Sequence, residues 1–201
     1  MTVAISEYRP PHADLKYAIL LLIVVLLGAC VSAHQSGRSA AGSDASRADR
    51  EAPTDSGKIA SLQNDLAALN AAADITEAGQ VAQTAIQYSS YLAEKYELVQ
   101  PAVLHNVLVR VGWKDRGLCH HWTVDLMQQL NLLQLKTYQL YWGVAHRGSE
   151  LREHNSVVIA AKGHRFDEGI VLDPWRNSGE LFWSPVKNDR YPWQERPRQE
   201  W

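Results

Sequence analysis

A cysteine, a histidine and an aspartate stand in the order and context that nucleophilic acyl transfer uses. Cys119 lies in Gly117-Leu118-Cys119-His120-His121-Trp122, where a glycine turn opens a helix. Unpaired backbone N–H groups and the macrodipole at a helix N-terminus favour a thiolate there. Glu153-His154-Asn155-Ser156-Val157-Val158 and Val171-Leu172-Asp173-Pro174-Trp175 come later, so a base and an orienting carboxylate follow the cysteine. In such chemistry the thiolate attacks an acyl carbonyl. An imidazole shares its proton and later protonates the leaving group, and a carboxylate fixes the imidazole tautomer. The Cys119 backbone N–H is the natural first donor to the oxyanion, and the side chain of Trp113, from the preceding loop, is the candidate second. Trp122 and Trp175 are candidates for walls of the cleft.

Each residue alone has a plainer reading. A free cysteine is often a small buried hydrophobe, Asp173-Pro174 makes a turn on its own, and a histidine can be a satisfied core residue. The joint pattern selects the catalytic reading. Metal chemistry is the competitor, because His105, His120, His121, His146, His154 and His164 accompany Cys119. No Cys-x-x-Cys, His-x-x-x-His or His-Glu-x-x-His spacing appears among them, so neither a metal nor another cofactor is expected.

Cys30, the other of the two cysteines, has different surroundings. The run from Tyr17 to Ala29 is uncharged and mostly apolar, yet shorter than the roughly 20 residues that a spanning helix needs. It reads as a signal-peptide core, preceded by Arg9 and Lys16 and followed by small residues. Leu27-Gly28-Ala29-Cys30 resembles the lipobox of bacterial lipoproteins, which implies cleavage before Cys30 and lipid on its sulfur; the alternative is an uncleaved single-pass anchor. With Cys30 lipidated, Cys119 has no intramolecular disulfide partner. Val31 is not the aspartate that retains enteric lipoproteins at the inner membrane, so the resemblance implies an outer-membrane lipoprotein facing the periplasm.

The 201 residues carry a formal net charge of −2 with the signs well mixed, which supplies no basic patch for nucleic acid. Residues 1–29 are assigned to the signal peptide. Residues 30–58, rich in Ser, Ala, Gly, Asp and Arg, form a flexible tether that lacks the apolar residues to offset its ordering. One domain is expected over 59–185, with a polar surface tail over 186–201 that Trp193 or Trp201 would pin.

Within that domain, Ile59, Leu62, Leu66 and Leu69 mark one helical stripe, and Ala78, Val81, Ala82, Ala85, Ile86, Leu92 and Tyr96 mark another. Pro101 starts a short helix whose buried face is Val103, Leu104, Val107, Leu108 and Val111. Cys119, Trp122, Leu126, Met127 and Leu130 share one face of the next helix. The period then changes to two over Tyr138–Ala145, and strands follow at His154–Ala161, at Gly169–Asp173 and at Leu181–Ser184. Connections this short make the strands antiparallel, since parallel partners need a longer crossover. The expected class is therefore α+β, with N-terminal helices and a nucleophile-bearing helix packed on a small antiparallel sheet.

A Gly-x-Cys helix start, a histidine heading a strand, the Lys162-Gly163 turn and Asp173-Pro174 on the next strand together resemble the transglutaminase-like branch of the papain-like cysteine enzymes, over Trp113 to Trp183. The resemblance implies Cys119 as nucleophile, His154 as base and Asp173 as its partner. The chain departs from the family at His120 and His121, which stand before Trp122, and at Ser156, two residues after the histidine. The expected protein is an exported lipoprotein that hydrolyses or transfers peptide or other amide bonds. It is held to the membrane through lipid on Cys30 and has no nucleic-acid partner. Two alternatives stand beside it: an inactive envelope lipoprotein that binds a peptide, polymer or protein, and a stalk module whose helices over Ile59–Val99 engage an envelope protein partner.

Overall fold

A computed structural model describes residues 54–149 and 151–201. The signal peptide, Cys30 and the tether up to residue 53 lie outside the described residues. Four helices come first: α1 (Asp55–Ala67), α2 (Ile75–Lys95), α3 (Ala102–Arg110) and α4 (Cys119–Asn131). Five strands follow: β1 (Tyr138–Ala145), β2 (His154–Ala161), β3 (Ile170–Asn177), β4 (Glu180–Pro185) and β5 (Trp193–Arg196). They form one sheet in the order β4-β3-β2-β1-β5, with every neighbouring pair antiparallel. The class is α+β, as the change of period from helical to two predicts.

The helix starts are chemically legible. Thr54 caps α1 through its hydroxyl, which accepts from the Gly57 N–H, and Asp74 caps α2 by accepting from the N–H groups of Thr76 and Glu77. Asp55 to Lys58, assigned to the tether, are instead the first turn of α1. Apolar residues at three- and four-residue steps place Leu62 and Leu66 of α1, Val81 and Ala85 of α2, and Leu126 and Leu130 of α4 in one core. That core packs on Tyr138, Leu140, Trp142, Val157, Ile159, Ile170 and Leu172, the residues of one sheet face.

The short helix α3 departs from expectation. Its buried residues are Ala102 and His105, whereas Val103 is 63% exposed. The apolar run misled because a histidine is the residue that this helix turns inward, where both ring nitrogens find backbone partners. Nδ1 of His105 accepts from the Val99 N–H at 3.1 Å, and Nε2 lies 2.8 Å from the Arg116 carbonyl.

The polar surface tail assigned to 186–201 is a second correction. Residues Trp193–Arg196 pair with Trp142–Ala145, and Val186 and Trp193 enter a second core with Ala145, Val158, Phe166 and Val171 on the other sheet face. The segment reads as polar because its inward residues, Val186, Asp189, Tyr191 and Trp193, are scattered among exposed charged ones. Strand β5 thus completes the sheet beside β1 and closes the face on which the expected base lies.

Candidate active site

Cys119 is the first residue of α4, so its N–H has no carbonyl a turn earlier to serve. Several side chains hold the loop that delivers it. Gly117 adopts φ +123°, and a Cβ there would meet Nε2 of His105 at 2.3 Å, so glycine alone fits. His121 turns back and accepts from the N–H groups of Gly117 and Leu118 at 3.1 and 3.2 Å through Nδ1. Arg116 donates to Asp125 of α4 at 2.5 Å, and the Tyr96 hydroxyl donates to the same carboxylate at 2.9 Å. The turn before the thiol is fastened to its own helix.

His154 and Asp173 reach each other through sheet register. Val157 pairs with Leu172, so the continued register sets Ser156 opposite Asp173, and His154, two residues along β2 from Ser156, lies diagonally beside Asp173 on the same face. Both are buried, and His154 Nε2 donates to Asp173 Oδ2 at 2.6 Å. That bond fixes the tautomer and leaves Nδ1 as the nitrogen for chemistry. Nδ1 is buried with no closed hydrogen bond among the described residues. Because α4 and β2 begin at the same end of the domain, the thiol meets this end of β2. Sγ lies 3.8 Å from the Glu153 carbonyl oxygen and 3.9 Å from Nδ2 of Asn155.

Electrostatics favour an imidazolium. Burial opposes charge on His154, but the charge and hydrogen bond of Asp173, and then the thiol of Cys119, outweigh it and raise the imidazole to about 9. His121 is driven the opposite way, to about 4, by burial, His120 and Arg116. It is therefore neutral, as its acceptor role at the helix start requires. Burial, Arg116 and Arg196 likewise lower His120. Of the three histidines near the thiol, His154 is the one built to hold a proton.

The thiol opens into a cleft of about 630 Å³, bounded by Asn106, His120, His146, His154, Trp175 and Tyr191 among others. Trp175 lies in the cleft as expected, its ring 4.7 Å from that of His154 and its Nε1 donating to Asn106 at 3.1 Å. Trp122 does not. It is fully buried against Tyr96, and its Nε1 donates to the Gly117 carbonyl at 2.9 Å, so it fastens the loop from behind. Trp113 is 42% exposed and outside the cleft, because its N–H closes the end of α3 on the Leu108 carbonyl while its ring faces solvent.

Asn155, and not Trp113, brings a side-chain N–H donor close to the thiol. The Trp142 indole donates to Asn155 Oδ1 at 2.7 Å, and since an indole N–H only donates, Nδ2 must face Glu153 and the thiol. Arg176 and Asp189, which no motif singles out, lie behind Asp173. The only trace of Arg176 in the sequence is a basic residue three after the aspartate. Among the described residues no group of three or more His, Cys, Asp or Glu side chains is arranged to hold a metal ion. No helix among them is long and apolar enough to cross a membrane. No protein-family model, curated protein or solved structure shows a significant match to this chain.

Proposed function

We propose that this chain is a cysteine acyl-transfer enzyme of the transglutaminase-like kind, carried on an exported lipoprotein, and that it acts on peptide or other amide bonds through Cys119, His154 and Asp173. One observation carries the reading: a histidine whose Nε2 is locked on a buried carboxylate, whose Nδ1 is left open, and whose proton affinity is raised partly by the thiol of Cys119. A core histidine with a purely structural role has no reason to leave one buried nitrogen unserved.

The chemistry runs from these positions. Cys119 Sγ attacks the acyl carbon, the carbonyl π electrons pass to oxygen, and the oxyanion is held by the Cys119 N–H and by Nδ2 of Asn155. His154 gives its Nδ1 proton to the departing nitrogen as the C–N bond breaks, leaving an acyl thioester and a free amine. Water or an amine then attacks the thioester, its proton passes to Nδ1, and the thiolate leaves. An open cleft suits an extended substrate segment, with Trp175 as one wall. Lipid on Cys30 would hold the domain at the periplasmic face of the outer membrane.

The test uses Cys30→Ser protein, in which Cys119 is the sole thiol. Iodoacetamide should alkylate Cys119 at about pH 6, and His154→Ala should slow this by about tenfold or more. Equal rates in the two proteins would overturn the triad.

A further inference from the structure

Asp173 is held by more than His154. Its Oδ2 accepts from His154 Nε2 at 2.6 Å and from Arg176 Nε at 3.0 Å, while its Oδ1 accepts from the Arg176 backbone N–H at 3.2 Å. Arg176 in turn spends both terminal nitrogens on Asp189, at 2.9 and 2.6 Å. Asp189 Oδ2 also accepts from the Trp193 indole at 2.8 Å. The guanidinium lies 3.8 Å from the ring centre of Phe182 and 4.7 Å from that of Tyr191.

Burying this many charges carries a large desolvation cost, and well-packed apolar side chains often serve stability as well. The arrangement is therefore informative about position more than about stability. An ionised carboxylate oxygen has two lone-pair directions in its plane. Arg176 Nε occupies one of those of Oδ2, and the planar fork that reaches Asp189 leaves the guanidinium no freedom to rotate away. A single direction remains for His154 Nε2, and the ring that takes it points Nδ1 toward Cys119. The charges also close: two carboxylates against one guanidinium leave one negative charge, which an imidazolium neutralises. The groups facing His154 are Asp173 and Trp175 from β3, Tyr191 and Trp193 at the β5 side, and Cys119 from α4, with Arg176 reaching it through Asp173.

We propose that Arg176, clamped by Asp189, is a positioning residue of the reaction, setting the Asp173 carboxylate so that His154 presents Nδ1 to the Cys119 thiol. The proposal rests on the triad reading and extends it to a line of five side chains, Cys119, His154, Asp173, Arg176 and Asp189.

The experiment compares Cys30→Ser protein with the same protein carrying Arg176→Gln, Arg176→Lys, Asp189→Asn or His154→Ala. Three readouts are taken: the rate of Cys119 alkylation by iodoacetamide across pH, the low-field proton resonance of His154 Nε2–H, and circular dichroism. Arg176→Gln should keep its circular dichroism, lose the sharp resonance and react about tenfold more slowly near pH 7, as misplacement of a catalytic group does. Arg176→Lys, which keeps the charge without the fork, should not restore either signal. Asp189→Asn should show a smaller loss in the same direction. A folded Arg176→Gln protein with unchanged rate and resonance overturns the proposal, and so does full rescue by Arg176→Lys. If Arg176→Gln does not fold, Asp189→Asn decides, and an unchanged profile there overturns the proposal. Equal rates with and without His154 would mark failure of the triad itself. A His154 effect with no Arg176 effect removes only the role of Arg176.

Discussion

Gly117 and His105 share a space that admits one of them with a side chain: a Cβ on the glycine would stand 2.3 Å from Nε2 of the histidine. The contact joins α3 to the turn that carries the thiol. Gly117→Ala must displace His105 and adopt a backbone conformation that L side chains avoid, at a cost of about 2–4 kcal/mol. Urea unfolding should show that loss, and Cys119 alkylation in the folded fraction should slow because the nucleophile moves with its turn.

The imidazole of His154 should titrate near 9 in the folded protein, which nuclear magnetic resonance of the labelled ring reads directly. Below that pH the ring is charged and able to protonate a leaving amine; above it the ring is neutral and that ability is lost. Acyl transfer should therefore decline as pH rises through about 9. Asp173→Asn removes the larger of the supporting charges and should bring the midpoint down. Cys119→Ala removes the smaller and should lower it by less. A midpoint near the ordinary histidine value of about 6.5 in the unmutated protein would contradict the geometry.

Trp193 is the anchor of β5 and one wall of the His154 pocket, with ring centres 5.3 Å apart. Trp193→Ala should destabilise the domain by about 3–5 kcal/mol, the usual cost of emptying a tryptophan site. It should also leave Asp189 without its indole donor. A urea midpoint unchanged by the substitution would mean that the segment after Val186 lies loose on the surface.

Tyr138 is buried, its hydroxyl has no hydrogen-bond partner among the described residues, and burial together with Glu77 and Asp74 pushes it up to about 12. The hydroxyl is neutral and unserved. Tyr138→Phe should therefore leave stability unchanged or raise it by about 1 kcal/mol, since removing an unpaired buried polar atom removes its desolvation cost. A clear drop in melting temperature would point to a partner for the hydroxyl.

Much of this molecule was legible before its fold. Tyr138–Ala145 and His154–Ala161 read as strands with the bounds that the structure gives them, because the first alternates and is rich in aromatics and the second carries the β-branched run Val157-Val158-Ile159. The α4 start was legible because the glycine turn and the Trp122, Leu126 and Leu130 stripe agree. Strand β5 was not, because Trp193-Gln194-Glu195-Arg196 is short, charged and set between prolines, and acquires its strand character from β1. The α3 face was misread because Val103 and Leu104 outweigh a histidine on any hydropathy scale, whereas the fold needed the hydrogen bonds of His105.

The site divides in the same way. Cys119, His154 and Asp173 were readable because each carries a local signature of helix start, strand head or Asp-Pro. Asn155 and Arg176 were not, since an asparagine after a histidine and an arginine late in a strand resemble ordinary polar surface. Only register, which brings β2 beside β3 and the Asp189 turn beneath them, sets those residues beside the candidate triad.

Strand β5 has a consequence for how copies of this chain meet. It is the outer strand on one side of the sheet, where open N–H and C=O groups are a template for adding another strand from a neighbour. Pro192 and Pro197 bracket its four residues, and neither has an N–H to offer, while Glu195 and Arg196 place opposite charges along the rim. On the opposite side β4 ends at Pro185. Both margins of the sheet are kept short, which discourages edge-to-edge growth between copies of the chain.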